Sequence, residues 1–399
     1  MIHSNGSWKD FPLGEICENL DSKRIPITKA KRDSGSIPYY GASGIVDYVA
    51  DYLFDEDLLL VSEDGANLLA RTYPIAFSIN GKTWVNNHAH VLRFKNHDSQ
   101  RFVEYYLNSI SLEPYVSGMA QPKLNQKKLN SIPVPFPSLP EQQRIVAILD
   151  DTFERIDAAI ANTEKNLANA RELFESYLND VFSQRGEGWE ECPLEELSEK
   201  ITKGSSPKWQ GVAYVDEPGI LFITSENVGS GKMLYNKTKY VDESFNDKDS
   251  KSILCKGDVL TNIVGASIGR TAVFDRDDLS NINQAVCMIR CIKDKLSNRY
   301  LSYLLNSPYF IRFLHDNEID NARANLSLTF FRELMIPIPS LEVQEELVSK
   351  MDAMSEECVT LESLYRRKLQ ALAELKQSIL QKVFAGELTA GTNQEALVN

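Results

Sequence analysis

The feature that most constrains this chain is a stretch of more than forty residues that occurs twice, 202 positions apart. The first copy begins Pro-Ser-Leu-Pro-Glu-Gln-Gln at residue 137, and the second begins Pro-Ser-Leu-Glu-Val-Gln-Glu at residue 339. The same offset carries Asp150 onto Asp352 and Phe182 onto Phe384 without a gap. A register held over that length indicates one structural unit used twice.

Both copies are predicted to be long helices, because each starts at a proline and contains no glycine or proline after its first turn. Apolar residues recur at alternating steps of 4 and 3, which is typical of a coiled-coil seam. Each seam has one stutter, at Thr163 and at Tyr365, where two steps of 4 follow each other. An antiparallel pair would align 145 with 383 and 181 with 347, and would place the two stutters together on a pseudo-two-fold axis. The alternative is that each helix packs only on its own domain.

The predicted seam comprises Ile145, Leu149, Ile156, Thr163, Leu167, Phe174 and Val181 in the first helix, and Leu347, Met351, Cys358, Tyr365, Leu369, Leu372, Ile379 and Val383 in the second.

A globular segment precedes each helix, and the two segments share a plan of short strands, one helix and a return through an Ile-Pro-x-Pro sequence. The predicted fold class is therefore α/β (α+β), with two similar domains joined by two long helices that form an antiparallel coiled coil. The predicted divisions are a first domain over 1–136, a first helix over 137–184, a second domain over 185–338, a second helix over 339–386 and a polar tail over 387–399.

Composition excludes several classes of protein. No apolar run approaches the ~18 residues that a membrane span requires, and the six cysteines form no Cys-x-x-Cys pair that would indicate a zinc site. The net charge of −13 argues at first against nucleic acid. Much of that excess falls on the two helices, whereas the first domain carries 14 basic and 15 acidic groups, so either domain could present a basic face.

The doubled helix motif, with a different domain before each copy, resembles the specificity subunit of type I restriction-modification systems. Residues 24–28, 37–45 and 63–67 look like one recurrent class of target-recognition domain in that family, and residues 204–207, 257–260 and 264–270 are similar to another. The resemblance covers roughly residues 8–388, and the second copy departs from it at Glu342-Val343.

This resemblance implies a cytoplasmic, non-catalytic subunit in which each domain reads one half of a split target in double-stranded DNA. The helices would set the gap between the halves and dock two copies of a methyltransferase subunit, and through them the restriction subunit. No cofactor or metal is expected on this chain. S-adenosylmethionine, ATP and magnesium are expected on the partner subunits only.

Several catalytic motifs were sought and are not formed. An adenine methyltransferase needs a Pro-Pro pair, which the chain lacks, and Gly81-Lys82-Thr83 lacks the earlier glycine of a phosphate-binding loop. His88 and His90 alternate onto one strand face, but a metal site would need further ligands. The rivals to DNA recognition are a coiled-coil scaffold that presents two binding modules for another ligand, and a fused restriction-methylation enzyme.

Residues that could contact DNA are polar or aromatic side chains on predicted loops, because loops on a rigid scaffold suit base reading. Five basic residues within ten positions favour phosphate contact; they are Lys23, Arg24, Lys29, Lys31 and Arg32. The other candidates of the first domain are Tyr39, Tyr40, Ser43, Lys82, Trp84, Asn86, Asn87, His88, Gln121, Lys123 and Asn125. Those of the second are Lys203, Ser205, Ser206, Lys208, Trp209, Thr224, Asn227, Arg270, Asn283, Gln284, Arg323 and Asn325. For each residue taken alone, a solvated loop position is the simpler interpretation, or for the aromatic residues a position at the edge of the core.

Overall fold

The chain divides into two compact units in a computed structural model that describes residues 8–118, 121–316 and 326–386. The first unit is Met1–Glu164 with Arg367–Asn399, and the second is Lys165–Arg366. Each long helix therefore contributes one part to each unit. The polar tail predicted for 387–399 lies outside the described residues.

The elements of the first half of the chain lead into the first long helix. The strands are β1 (Lys9–Pro12), β2 (Glu18–Asn19), β3 (Ser34–Gly41), β4 (Gly44–Val49), β5 (Phe54–Asp55), β6 (Leu58–Ser62), β7 (Ala76–Ile79), β8 (Lys82–Val85), β9 (Ala89–Arg93) and β10 (Pro133–Phe136). The helices are α1 (Leu13–Ile16), α2 (Asn67–Ala70), α3 (His97–Ser109), α4 (Gln126–Asn130) and the long α5 (Leu139–Gln184).

The second half repeats this order and ends in the second long helix. Its strands are β11 (Glu190–Pro193), β12 (Ser198–Lys203), β13 (Tyr214–Val215), β14 (Ile220–Ile223), β15 (Tyr240–Val241), β16 (Val259–Asn262), β17 (Thr271–Val273), β18 (Ser280–Ile282), β19 (Val286–Cys291) and β20 (Met335–Ile338). Its helices are α6 (Ser244–Lys248), α7 (Asn298–Asn306), α8 (Pro308–Asp316), α9 (Leu328–Glu333) and the long α10 (Leu341–Phe384).

The first domain is built from two four-stranded sheets, in the orders β2-β9-β6-β7 and β4-β3-β8-β5. The central strand β6 is buried along its whole length. Its alternate residues point to opposite faces: Leu58 and Leu60 join the cluster between the sheets, and Leu59 and Val61 join the cluster around α3. An apolar run that is buried on both faces therefore forms the middle layer.

The second domain has the same layers, with sheets β12-β19-β16-β17 and β13-β15-β14-β18. Leu260 of β16 and Met288 of β19 face the second sheet, whereas Val259 and Ile289 face α7. In both domains the second sheet contains one parallel pair, β3 with β8 and β14 with β18. The two domains are thus one architecture with different loops.

In the first unit, the beginning of α5 and the end of α10 complete the core of the first domain. Leu149 of α5 and Phe384 of α10 belong to the same apolar cluster as Phe102 of α3. Lys376 lies over the Phe153 ring at 4.9 Å, and its Nζ is 2.6 Å from an Asp157 carboxylate oxygen. The predicted alignment puts Lys376 opposite position 152, so the helices meet within about one turn of that register.

In the second unit, the end of α5 and the beginning of α10 play the same part. Phe182 and Leu178 share a cluster with Met351 and with Tyr300 of α7. Arg171 of α5 forms an ion pair with Glu362 of α10, with 3.2 Å between Nε and the carboxylate oxygen. The end of one helix thus packs against the beginning of the other in each unit, so the pair is antiparallel.

The prediction of mixed α/β domains with an antiparallel coiled coil is confirmed, and the pseudo-two-fold relation of the two units stays a prediction. Every predicted seam residue is buried or half-buried. Each helix also buries a second stripe, which includes Leu178, Phe182, Leu380 and Phe384, against its domain. Leu178 and Phe182 of α5 thus pack on the second domain, and Leu380 and Phe384 of α10 pack on the first. The alternative that each helix packs only on its own domain is therefore wrong.

Within the described ranges, no helix combines the length and the hydropathy that crossing a membrane requires.

Because α5 shares its core with the first domain, replacing a buried residue of α5 should destabilise the chain much more than replacing its exposed neighbour. Leu149→Ala should lower the free energy of unfolding by about 2–5 kcal/mol, because it leaves a cavity at a fully buried position. Ile148→Ala is the matched control: Ile148 is 51% exposed and its loss should change stability by no more than about 0.5 kcal/mol. Urea denaturation of the full chain measures both, and equal losses would contradict the packing described.

Candidate nucleic-acid interface

Four loops of the first domain meet at the ends of its strands, and we call them the first loop cluster: residues 41–43, 62–65, 86–88 and 121–125. Backbone hydrogen bonds join them. The Glu63 amide donates to the His88 carbonyl and its own carbonyl accepts from the Leu124 amide, at 2.9 and 2.8 Å. The Ser62 hydroxyl donates to the Ala42 carbonyl. Polar residues that are far apart in sequence are thereby brought onto one surface.

The Glu63 carboxylate pairs with two basic candidates, Lys123 of this cluster and Arg24 of the basic segment before β3. Arg24 Nη1 donates to Glu63 Oε2 at 2.7 Å and to the Ala89 carbonyl, and Lys123 Nζ lies 3.2 Å from Glu63 Oε1. Asp64 binds the His88 ring at 2.8 Å. Arg24 is therefore largely committed to the protein, whereas Lys123 and His88 are each 53% exposed and remain available to a ligand.

Asp21, Glu63 and His90 place possible ligand atoms within 4.8 Å of one another, which raises the question of a metal. His90 Nε2 donates to the Leu124 carbonyl at 2.7 Å, and its Nδ1 lies 2.6 Å from an Asp21 carboxylate oxygen. Both carboxylates already face cationic partners in Arg24 and Lys123. These contacts fit a buried hydrogen-bonded network and do not fit a metal site, because both ring nitrogens already face protein oxygens.

The basic segment before β3 is split between protein contacts and solvent. The Arg32 guanidinium stacks on the Tyr39 ring at 4.2 Å and pairs with Asp47 at 2.8 Å. Tyr39 itself is buried, and its hydroxyl bonds to the backbone of Ile27. The side chains of Lys23, Lys29 and Lys31 are exposed, and these are the residues of the segment that a phosphate could reach.

The corresponding second loop cluster consists of residues 203–209, 224–227, 262–270 and 283–285. The Asn283 amide donates to the Ile223 carbonyl, and the Asn262 side chain donates to the Ser225 carbonyl, each at 3.0 Å. Gly204 allows the closest approach, because a Cβ at that position would lie 1.7 Å from the Ile282 carbonyl oxygen. Only glycine fits there, and it brings the segment from Lys203 to Trp209 beside the 283–285 loop.

Trp209 is 79% exposed at the tip of this cluster. Its turn is fixed by backbone hydrogen bonds, from the Trp209 amide to the Ser206 carbonyl and from the Val212 amide to the Pro207 carbonyl. The Ser205 hydroxyl anchors the base of the turn on Asp249. The turn therefore holds an uncovered indole in place, which suits stacking on a ligand.

The structure separates the sequence candidates by exposure. Buried candidates are Tyr39, Asn86, Thr224 and Asn227. Half-buried candidates are Arg24, Arg32, Tyr40, Trp84, Lys203, Ser205, Ser206 and Asn283. Exposed candidates are Lys23, Lys29, Lys31, Ser43, Lys82, Asn87, His88, Gln121, Lys123, Asn125, Lys208, Trp209, Arg270 and Gln284. Arg323 and Asn325 lie outside the described residues.

The buried candidates have structural partners. Asn227 Oδ1 accepts from the Thr224 amide and hydroxyl, and its Nδ2 donates to the carbonyls of Leu234 and Lys237. Asn86 Oδ1 accepts from the His88 amide. These side chains shape the loops from within, as asparagine commonly does in turns.

Sequence reasoning missed the acids that organise the first loop cluster, namely Asp21, Glu63 and Asp64. Nothing local in the sequence shows that Arg24 and Lys123 converge on Glu63 or that His88 pairs with Asp64. The one available signal was the balance of 14 basic and 15 acidic groups in a domain expected to bind DNA. Such a balance indicates that part of the acid is internally paired.

The Asp21–His90 pair predicts a stability that depends on pH. Burial acts to raise the pKa of Asp21, but the hydrogen bond and charge of His90, the Val91 amide and Arg24 hold it below its usual value. The ionised carboxylate therefore stabilises the fold above the unfolded-state pKa of about 3.9, and this stability is lost as the pH falls through the folded-state value. Asp21→Asn should lower the free energy of unfolding at pH 7 by about 1–3 kcal/mol.

When urea denaturation is repeated at lower pH, that difference should stay nearly constant from pH 7 to about pH 5 and shrink as the pH falls below about 3.9 toward pH 3. Asp33→Asn, at an exposed acid of the same domain, serves as the control. A loss for Asp21→Asn that stays constant between pH 7 and pH 3 would contradict this role of the carboxylate.

Comparison with known proteins follows the duplicated architecture. The family model described as type I restriction modification DNA specificity domain matches twice, at residues 5–169 and 186–371. A putative type I restriction enzyme specificity subunit of Haemophilus influenzae is 28% identical over 371 residues, which is 88% of this chain and 87% of that protein. The MjaVIII specificity subunit of Methanocaldococcus jannaschii is 22% identical, over 96% of this chain and 93% of its own length.

Solved structures agree in fold. A chain described under the structural basis of complex assembly and conformational transition of the type I R-M system has a TM-score of 0.71, at 20% identity, over 96% of this chain and 98% of its own. The HsdS subunit from Thermoanaerobacter tengcongensis has a TM-score of 0.59, also at 20% identity, with 96% and 97% covered. The chain therefore belongs to the type I restriction-modification DNA specificity family and carries two copies of its domain.

Proposed function

We propose that this chain is the sequence-specificity subunit of a type I restriction-modification complex and has no catalytic activity of its own. Each domain reads one half of a split target in double-stranded DNA through its loop cluster. The helices α5 and α10 separate the two readers and dock the methyltransferase and restriction subunits. The observation that carries this proposal is the doubled match to a DNA specificity domain, with one loop cluster in each copy.

The two loop clusters differ in chemistry, which supports separate half-targets. The first exposes His88, Lys123 and neighbouring amides, and the second exposes Lys208, Trp209, Arg270 and Gln284. Lysine, arginine, histidine and glutamine can donate to base edges or phosphates, and an exposed indole can stack. Two surfaces with different donors suit two different sequences. We favour this proposal over a scaffold for another ligand, because the family and its relatives concern DNA specificity.

The partners in this proposal are DNA, two copies of the methyltransferase subunit and, through that complex, the restriction subunit. S-adenosylmethionine, ATP and magnesium belong to those partners, which perform methyl transfer and ATP-driven cleavage in the cytoplasm. This chain contributes recognition and spacing only.

Because its first and last strands pair with each other, the first domain should be replaceable as a unit, and its replacement should change one half of the DNA target. β1 pairs with β10 in an antiparallel register from Lys9↔Phe136 to Pro12↔Pro133, so the segment from residue 9 to residue 136 begins and ends on neighbouring strands. Replacing them by the same domain of a related subunit, while keeping residues 137–399, should change one half of the methylated target and leave the other unchanged. Methylome sequencing of the host measures this, with the unmodified gene as the control. A change in both halves would refute independent reading.

The helix pair predicts a longer gap when it is lengthened. The aligned seam from 145 to 181 spans roughly 54 Å at ~1.5 Å per residue. Four residues inserted after Thr163 and four after Tyr365 keep the helices paired and add ~6 Å, which approaches two base pairs at ~3.4 Å each. The methylated target should keep both halves, with a gap longer by about one or two base pairs. A four-residue insertion is close to one turn, so rotation of the readers should be small.

Insertion of four residues into the exposed loop 276–279 is the control for chain length, and it should leave the gap unchanged. If the lengthened helices still direct methylation only at the original spacing, the helices do not set the gap.

A further inference from the structure

Each long helix is tied to its domain by a pair of polar contacts that the two units repeat. In the first unit the buried Gln142 of α5 accepts from the Ser99 hydroxyl of α3 at 2.6 Å and donates to the Pro137 carbonyl. Eight residues further along α5, Asp150 accepts hydrogen bonds from Arg101 Nη2, at 2.7 Å, and from the Tyr105 hydroxyl. Arg101 and Tyr105 lie one turn apart on α3.

The second unit repeats the arrangement with the same types of residue. The buried Gln344 of α10 accepts from the Ser297 amide at 2.9 Å and donates to the carbonyls of Lys295 and Pro339. Asp352, again eight residues along, accepts from Arg299 Nη2 and from the Tyr303 hydroxyl, both at 2.5 Å. The domain residues shift by 198 positions and the helix residues by 202, so the match survives a change in length between them.

With a single contact, the domain could rotate about that contact relative to the helix. Two contacts at different points along the helix axis prevent this rotation. Eight residues of α-helix span ~12 Å. The glutamine and the aspartate of each long helix therefore contact the domain at two points that are separated along the helix axis. Hydrogen bonds weaken steeply when their angles change, so they fix orientation more narrowly than apolar packing does. The pair of contacts in each unit therefore fixes the angle at which the domain sits on its helix.

The aspartate contacts suit a geometric role better than a stabilising one. The Asp150 and Asp352 side chains are 46% and 32% exposed, and ion pairs of that exposure contribute little to stability. The stabilising contacts lie beside them, where Tyr105 packs on Phe153 at 5.5 Å between ring centroids. The aspartates nevertheless occur at matching positions of the two long helices, although the loops of the two domains differ.

We infer that Asp150 and Asp352 are positioning residues that fix the angle of each recognition domain on its spacer helix and thereby restrict the gap that the complex accepts. This inference rests on the proposed function. A domain that can tilt on its helix reaches DNA half-sites over a wider range of separations. A domain held by both contacts reaches half-sites at one separation only.

The test uses the full chain in complex with its methyltransferase subunit. The probes are DNA duplexes that carry the target found by methylome sequencing, with the native gap and with the gap one base pair shorter or longer. The variants are Asp150→Asn, Asp352→Asn and the milder Tyr105→Phe and Tyr303→Phe, which remove one donor and keep the ring packing. The controls are Asp151→Asn and Glu346→Gln, whose carboxylates pair only with exposed cations of their own helix at 3.0 and 2.6 Å.

Methylation rates on the native gap relative to the altered gaps should fall about two- to fivefold for each aspartate variant, since a partly exposed ion pair contributes no more than that to a preference. The tyrosine variants should show a smaller fall, and the controls none. The rate on the native gap and the thermal unfolding midpoint should change little. A variant that slows methylation equally on all gaps, or keeps the wild-type preference, would overturn the inference. Wild-type protein without any gap preference would instead overturn the proposed function.

Discussion

The structure depends on the burial of each long helix in the core of a domain. Leu149 and Phe384 complete one apolar cluster, and Phe182 and Met351 complete the other. A two-stranded seam is narrow, and many residues of both helices outside it are exposed. The helices therefore gain much of their burial from the domains. The boundary between the compact units accordingly falls within each helix, after Glu164 and after Arg366, and not at a helix end.

That shared core also explains how two domains with different loops keep one architecture. The faces of β6 and β16 that point to the helices are buried in both units, with only Thr261 polar among them and hydrogen-bonded to Thr271, and α3 and α7 pack behind them. The loops leave from the strand ends and place single residues such as Leu124, Ile263 and Ile268 in this core, so the rest of their sequences can change. One scaffold can then hold a histidine and lysine surface in one domain and a tryptophan and arginine surface in the other.

Much of the fold was predictable from the sequence, because the seam and the repeat leave a periodic signal. The antiparallel pair and the mixed domains followed from it. The candidate interface was less accessible, because a polar loop residue can face either a ligand or its own backbone. Asn227 and Thr224 form an internal turn, and Arg24 forms an ion pair with Glu63, which lies 39 positions away in the sequence. Such pairings depend on which loops meet at the strand ends, and no local pattern records that.

Charge is distributed unevenly between the long helices and the two domains. The helix segment 139–184 carries 4 basic and 9 acidic residues, whereas the two domains are near neutral and expose lysines on their loops. An acidic helix repels the phosphate backbone at short range. This repulsion favours DNA contact at the proposed loop clusters, and the exposed apolar residues of the helices, such as Ile148, Leu173 and Val359, are of the kind that protein partners cover. The acidic excess that argued against nucleic acid thus falls largely on the helices and not on the surfaces proposed to bind DNA.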